Sequence, residues 1–316
     1  MDERTLNALR LLPDYLAQHV LLSLVALGLG ILIGLPLAVV ATRHRGLRVA
    51  ALAAASLVQT IPGLALLALF YPLLLGVSAL SQSTFGVGLP ALGFLPSVMA
   101  LTLYAVLPVL RNAIAGLAGL DPAVIEAADA VGMTPTQRLV QVEAPLAAPV
   151  VMAGIRTAAV WTIGAATLST SVGQTSLGNY IFSGLQTENW IFVLFGCVVA
   201  ALLALAVDQL LGLIEAGVTR RDRTRVRVGL AGILIGAGVA LTPLMLAAPH
   251  TYLVGAKNFS EQFILAELIS ERLMREGATA EPRSCLACTR APAAARRSSI
   301  RAANMYCSEK FFAPTT

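Results

Sequence analysis

Apolar residues arrive in long unbroken blocks here, not in the three-and-four spacing of a soluble helix or the alternation of a half-buried strand. The blocks are Leu16 to Ala41, Val49 to Gly76, Leu92 to Leu117, Ala147 to Thr170, Trp190 to Ala216 and Val228 to Ala248. Each is long enough for ~30 Å of hydrocarbon, which takes about 20 helical residues. The pattern predicts an all-α polytopic membrane protein with six spanning helices. The first block is too long for a signal-peptide core and lacks a small-residue cleavage site, so it is expected to be retained. Pro36, Pro62, Pro72 and Pro108 lie inside blocks and predict kinks, tolerated where neighbouring helices satisfy the freed backbone groups. Gly28, Gly30 and Gly34 read as a helix contact face.

Composition agrees with the blocks. Of 316 residues, 57% are hydrophobic and 12% charged, with a mean hydropathy of +0.79; soluble domains hold roughly 45 to 50% apolar and ~25% charged residues. The net charge of +5 sits in short runs between blocks, at Arg43, Arg45 and Arg48 and again at Arg220, Arg221, Arg223, Arg225 and Arg227. That placement fits loops on the cytoplasmic side better than a nucleic-acid surface, so no nucleic-acid partner is expected. Residues 117 to 146 then face the cytoplasm, and both termini face outward. Ionisable groups inside spans cost about 2.5 to 3.5 kcal/mol each on insertion scales; Arg111, Arg156, Asp208 and Glu215 are read toward cytoplasmic span ends, which disfavours an ion-coupled carrier or channel.

The loop between the third and fourth blocks carries legible helix punctuation. Asp121 is a good N-cap before Pro122, Gly132 suits a left-handed helix end, and Thr134-Pro135 restarts a second short helix. Pro145 is expected to stop it. Ala127, Ala128 and Ala130 keep the first helix low, open to another protein's close approach, with Glu126 supplying a charge. An ordinary amphipathic connector is the plainer alternative.

Glu126-Ala127-Ala128, then Gly132, then Val142-Glu143-Ala144-Pro145 resemble the signature loop of membrane subunits of ABC importers. The resemblance implies a type I ABC importer permease fold, with residues 121–145 as a coupling helix gripped by a cytoplasmic ATPase subunit and Glu126, Ala127, Ala128, Gly132 and Pro145 making or framing the contact. Ala144 departs from a usual larger aliphatic residue. No G-x-x-x-x-G-K-[ST] phosphate loop is present, since the only lysines are Lys257 and Lys310. The chain is therefore expected to be no enzyme and to hold no cofactor; ATP and Mg belong to the partner. The family also implies a second permease copy, an extracytoplasmic solute-binding protein or domain, and a bacterial inner-membrane location.

Gln59 to Ala68, Ala100 to Pro108 and Trp161 to Leu168 resemble the branch that imports glycine betaine, choline and related compatible solutes, over about residues 10 to 220. Gln174 to Ser176 depart from the glycine-rich form common there. Gln59, Thr60, Thr102, Thr162 and Thr167 are candidates to line a polar path; bonding between helices stands ahead of that role, because hydroxyls commonly join membrane helices. A methionine-type importer shares the loop and is the alternative solute class. A binding protein merely tethered by helices would need a full outer domain.

Four segments follow: 1–15 external, 16–248 permease, 251–282 the start of a fused solute-binding domain, and 283–316 a tail. Thr251 to Met274 read as strand, turn and amphipathic helix, with Asn258 and Glu261 resembling a capping box. From Arg283 the hydrophobic period disappears and Ala, Arg, Ser and Cys dominate, as in a shifted reading frame, so the tail is expected to be disordered. Cys285 and Cys288 have no second pair at metal spacing and are read as incidental.

Overall fold

The computed structural model describes residues 3–86, 88–245, 251–256, 268–269, 271–272, 274–275 and 279–284. The chain divides into two units, residues 1–245 and 246–316. The first is helical throughout. Six helices among the described residues are long and apolar enough to cross a membrane, at Leu11–Arg43, Gly63–Thr84, Phe94–Ala118, Pro135–Val172, Trp190–Thr219 and Arg223–Pro243.

Helix α1 runs Glu3–Arg43, and the part of it long and apolar enough to span begins at Leu11. The second apolar block is not one helix. It breaks at Pro62 into α2 (Arg45–Thr60) and α3 (Gly63–Phe85). Ile61 is forced extended because proline's Cδ crowds the residue before it, and Pro62 has no amide to continue the ladder. The break is held by the next helix, α4 (Phe94–Ala118): the Tyr104 hydroxyl donates to the Ile61 carbonyl at 2.5 Å, and the Gln59 amide donates to the Tyr104 carbonyl at 3.1 Å. The carbonyl before Pro62 is thus met by the Tyr104 hydroxyl, and the Tyr104 carbonyl, whose helical donor is missing at Pro108, is met by Gln59.

Helix α4 is the centre of the unit. It packs against α1 on one side and α7 (Ala144–Ala166) on the other. Close approach explains the small residues. A methyl group at Gly30 would stand 2.6 Å from the Ala105 Cβ, and one at Gly154 would stand 2.5 Å from the Asn112 Cβ. Gly28, by contrast, has nothing within 4 Å and takes no part in the expected contact face, since its turn of α1 points away from α4.

At the end of the bundle away from Arg43, α1 is tied to later elements by buried polar groups. His19 is fully buried; its Nε2 lies 3.1 Å from the Ile163 carbonyl, and its Nδ1 accepts from the Leu177 amide at 3.4 Å. Both contacts suit the tautomer with its proton on Nε2. Helix α8 (Gly178–Gln186) follows a 3-10 turn at Thr167–Val172, and its Tyr180 donates to the Ala8 carbonyl at 2.6 Å. Tyr15, Phe192 and Phe195 meet the Tyr180 ring edge-on, with centroids 4.9, 5.7 and 5.2 Å away. Helices α9 (Trp190–Thr219) and α10 (Arg223–Met245) form the last hairpin.

In the second unit, β1 (Thr251–Ala256) pairs in parallel with β2 (Thr279–Ser284), with Val254 opposite Pro282 and Gly255 opposite Arg283. Residues 268–269, 271–272 and 274–275 are helical. The parallel pair with an intervening helix is the shape of a βαβ crossover. Strand β2 runs through the expected limit at Pro282 and takes in Arg283 and Ser284. Asn258, Glu261, Cys285, Cys288 and the tail from 285 to 316 lie outside the described residues.

The α1–α4 seam makes a prediction. Gly30→Val should lower the aggregation temperature of the solubilised chain by several degrees, as overpacking costs about 1–3 kcal/mol. Gly28→Ala should leave it within about a degree, as expected of a site without neighbours. Equal shifts in the two variants, followed by fluorescence-detected size exclusion, would contradict this packing.

Candidate functional site, the elbow between two spans

The connection from α4 to α7 is built as the sequence punctuation predicts at its start. Helix α5 (Pro122–Ala130) is capped by Asp121, whose Oδ1 accepts from the Ala123 amide at 2.9 Å. It ends at Gly132, with φ of 79°, where the Met133 amide reaches back to the Ala128 carbonyl at 3.2 Å. This six-to-one bond closes the helix and requires the left-handed residue. Helix α6 (Pro135–Arg138) opens with a full capping box: the Thr134 hydroxyl accepts from the Gln137 amide, and the Gln137 side chain accepts from the Thr134 amide at 2.9 Å.

The far side of the elbow differs from expectation at Pro145. That residue does not stop the second helix. A π turn at Leu139–Glu143 carries α6 without interruption into α7, with the Ala144 amide bonding the Leu139 carbonyl and Pro145 in the first turn of α7. The wider turn shifts the ladder by one residue just where proline supplies no amide, so the helix passes through. The elbow therefore has one left-handed corner, at Gly132, and one arm that is the start of a spanning helix.

Of the five expected contact residues, Glu126, Ala127, Gly132 and Pro145 are exposed. Ala128 is 4% exposed and faces the elbow's interior. Its neighbours on the open side are instead apolar: Val131, 74% exposed, and Val124. The open face is thus a small-residue and valine surface with Glu126 and the half-exposed, Arg138-paired Asp129 as its carboxylates.

Sequence reading missed what holds the elbow in place. Arg43, the last residue of α1, donates to both Glu143 oxygens at 3.0 and 2.9 Å. The Arg138 Nε donates to the same carboxylate at 2.9 Å, and its Nη1 reaches the Asp129 carboxylate at 2.5 and 2.6 Å. Glu143 is buried, with 8% of its side chain exposed, and Arg138 nearly so. A continuous ladder of charge thus links the end of α1, the π turn, α6 and the last turn of α5. The nearest signal in the sequence was the nine-residue spacing of Asp129 and Arg138; the 100-residue separation of Arg43 and Glu143 offered none.

The five polar residues proposed for a path are not brought to one surface. Thr102 and Thr162 are buried within the bundle, and their hydroxyls find no hydrogen-bond partner among the described residues. Thr60 and Thr167 bond carbonyls of their own turns, at Leu57 and Gly164. Gln59 is spent on the Tyr104 carbonyl of α4.

Comparison with known proteins fits this geometry. Residues 30–220 match the family described as binding-protein-dependent transport system inner membrane component. The choline transport system permease protein OpuBB of Bacillus subtilis is 37% identical over 210 residues, 66% of this chain and 89% of that protein. The glycine betaine/carnitine/choline transport system permease protein OpuCB of the same organism is 38% identical over 202 residues, 64% and 86% of the two chains. The osmoprotectant import permease protein OsmW of Salmonella typhimurium is 39% identical over 202 residues, 64% and 89%. Among solved structures, an inward-facing form of the MetNI methionine ABC transporter aligns with a TM-score of 0.56 at 22% identity, over 69% of this chain and all but 1% of that one, covering 99%. An amino acid ABC transporter aligns at 0.54 and 21%, over 68% and 98%. These two share the fold. With the family match covering more than half its length, the chain belongs to the binding-protein-dependent transport system inner membrane components, the permeases of ABC importers.

Proposed function

We propose that this permease carries glycine betaine, choline or a related quaternary ammonium solute across the bacterial inner membrane, driven by a separate ATPase subunit that grips the elbow at residues 121–145. The single observation that carries the reading is the elbow itself: an exposed, capped short helix joined by an ion ladder to two spanning helices. Identity of 37 to 39% to three permeases named for choline, glycine betaine, carnitine or osmoprotectants supports the solute class. Likeness to methionine and amino acid transporters, at 22 and 21% identity, supports the fold only.

In this account Glu126, Ala127, Gly132 and Val131 meet the ATPase, Ala128 packs the elbow from within, and the exposed Pro145 frames it at the start of α7. Arg43, Arg220 and Arg221 share its side of the membrane, the cytoplasm, so both termini lie outside. The assembly holds two permease copies, and the second unit is the start of an outer solute-binding domain. Gln59 joins two helices and Thr60 and Thr167 bond carbonyls of their own turns, whereas the buried Thr102 and Thr162 hydroxyls, without partners among the described residues, would reach a path only on rearrangement of the helices. Force transmission needs a stiff lever. ATPase closure displaces α5, and the ladder through Asp129, Arg138, Glu143 and Arg43 passes that displacement to α7 and α1 rather than letting the loop flex.

Two sets of variants test this. Gly132→Val places a β-branched residue in the left-handed region, costing about 1–3 kcal/mol, and should cut ATP-dependent choline or betaine uptake by roughly tenfold with normal membrane insertion. Gly132→Asn, which tolerates that conformation, should keep most uptake, and Glu126→Lys should lose it. Full uptake in Gly132→Val and Glu126→Lys would remove the elbow from the coupling route. Separately, Arg138 is the only tryptic site between Arg111 and Arg156. Removing a buried ion-pair partner costs roughly 3 kcal/mol, so Glu143→Ala should speed cleavage after Arg138 by about tenfold or more. An unchanged cleavage rate would mean that the ladder does not hold the elbow.

A further inference from the structure

A second ion cluster lies deep in the bundle, where α7 meets α9. The Arg156 Nε and Nη2 donate to the two Asp208 oxygens at 2.5 and 2.7 Å, and Nη1 donates to a Glu215 oxygen at 3.3 Å. Counting along α7 from Glu143 and along α9 from Arg220, Arg156 and Asp208 are each about 20 Å from the elbow end of the bundle. They are not at span ends, as the sequence reading had placed them. Glu215 comes seven residues after Asp208, so its backbone is roughly 10 Å nearer the elbow end.

A fixed tie between two helices needs one carboxylate for one guanidinium. Here there are two, and they are used unequally. Both Asp208 oxygens receive a bond from Arg156, whereas Glu215 receives one bond, at the longest of the three distances. An unbalanced acid within a span is unfavourable, and a buried ion pair adds little stability in any case, so the second acid is not explained by holding α7 to α9. Gly212 stands between the acids, four residues after Asp208 and three before Glu215, on the same face of α9. Its bare backbone leaves the guanidinium room to lie across the helix: a methyl group there would stand 3.2 Å from Nη1 and 3.3 Å from Cζ. Helical side chains tilt toward the N-terminus, which leans Glu215 back over Gly212 toward Asp208. Arg156 already touches both acids. It can therefore hand its paired bonds from one to the other without ever standing unpaired, the state that destabilises buried ions most.

We infer that Arg156 is a positioning residue with two docks on α9. It is held by paired bonds to Asp208 in the conformation described above, and by paired bonds to Glu215 once α7 has slid along α9 toward the elbow end by up to about one turn. Gly212 is the track between the docks. Since α7 begins in the elbow, a pull there is a slide of α7 past α9, and the docks define its two stopping points. The inference rests on the ATP-driven transport proposed above and on no choice of solute.

Position is measured first. In the assembled importer, with Cys197, Cys285, Cys288 and Cys307 replaced by serine, nitroxides go on Trp161→Cys and Leu213→Cys, both exposed, for double electron–electron resonance. Trp161 stands roughly 17 Å farther from the elbow end than Leu213, so the move to Glu215 shortens their separation. Glu215→Gln should hold the long distance and Asp208→Asn the short one, about 3–5 Å apart. A static tie has no second position, and equal distances in the two variants would overturn the docks. With both acids intact, trapping the ATPase with ATP and vanadate should change the proportion of long to short. Variants that differ while the intact chain ignores nucleotide would keep the docks and sink the coupling through the elbow. Transport gives an independent check. Glu215→Gln removes only the 3.3 Å contact and leaves a balanced pair, so thermal stability should hold within about a degree, while ATP-driven uptake should fall by about tenfold. Gly212→Ala, whose methyl crowds the crossing, should lower the maximal rate by about threefold at an unchanged half-saturating solute concentration. Full uptake in Glu215→Gln would reduce the cluster to a simple tie and overturn the inference.

Discussion

The Glu143 carboxylate, buried between Arg43 and Arg138, is the contact on which the mechanical reading of this permease depends. A charge that deep is costly unless its oxygens are filled, and here three donated bonds fill them. The three partners come from elements that have no other reason to move together: the end of the first span, the short second arm of the elbow, and the π turn that begins the fourth span. Arg138 then extends the same chain to Asp129 in α5. A push on α5 therefore reaches two spanning helices through charge-assisted bonds and an uninterrupted helix, without passing through a loose loop.

The rest of the bundle is organised to let that lever act on something. Helix α4 is the hub, packed by glycine and alanine contacts against α1 and α7. The opposite end is pinned by His19 and Tyr180, which tie α1 to α7 and to the segment after it. One helix, α7, thus begins in the elbow, crosses the hub and carries Arg156 to its carboxylates on α9. Elbow, hub and second ion cluster share a single continuous element, so displacement at one is felt at the others.

Much of this was legible in the order of residues, for physical reasons that can be named. Membrane spans are written as uninterrupted apolar length, and the caps of the elbow are written locally: Asp121 before Pro122, Gly132 at a left-handed corner, Thr134 with Gln137. What failed was also physical. Pro145 looks like a stop because a proline removes an amide; only a π turn immediately before it lets the helix continue, and that turn has no residue signature. Ala128 looks like part of a low docking face, but the helical period turns it inward and brings Val131 out. Gly28 belongs by spacing to a contact stripe that its side of α1 never makes. The two ion clusters join residues separated by 100 positions, as Arg43 and Glu143, or by 52, as Arg156 and Asp208, and no local pattern announces such pairs.

The most direct measurement is site-specific photocross-linking in native membranes with every subunit present, placing a benzophenone side chain at Val131 in one variant and at Ala128 in another. The account predicts that the probe at Val131 captures the ATPase subunit in high yield, whereas the probe at Ala128 reacts within the permease itself. Capture of lipid or of an extracytoplasmic protein at Val131 would contradict it.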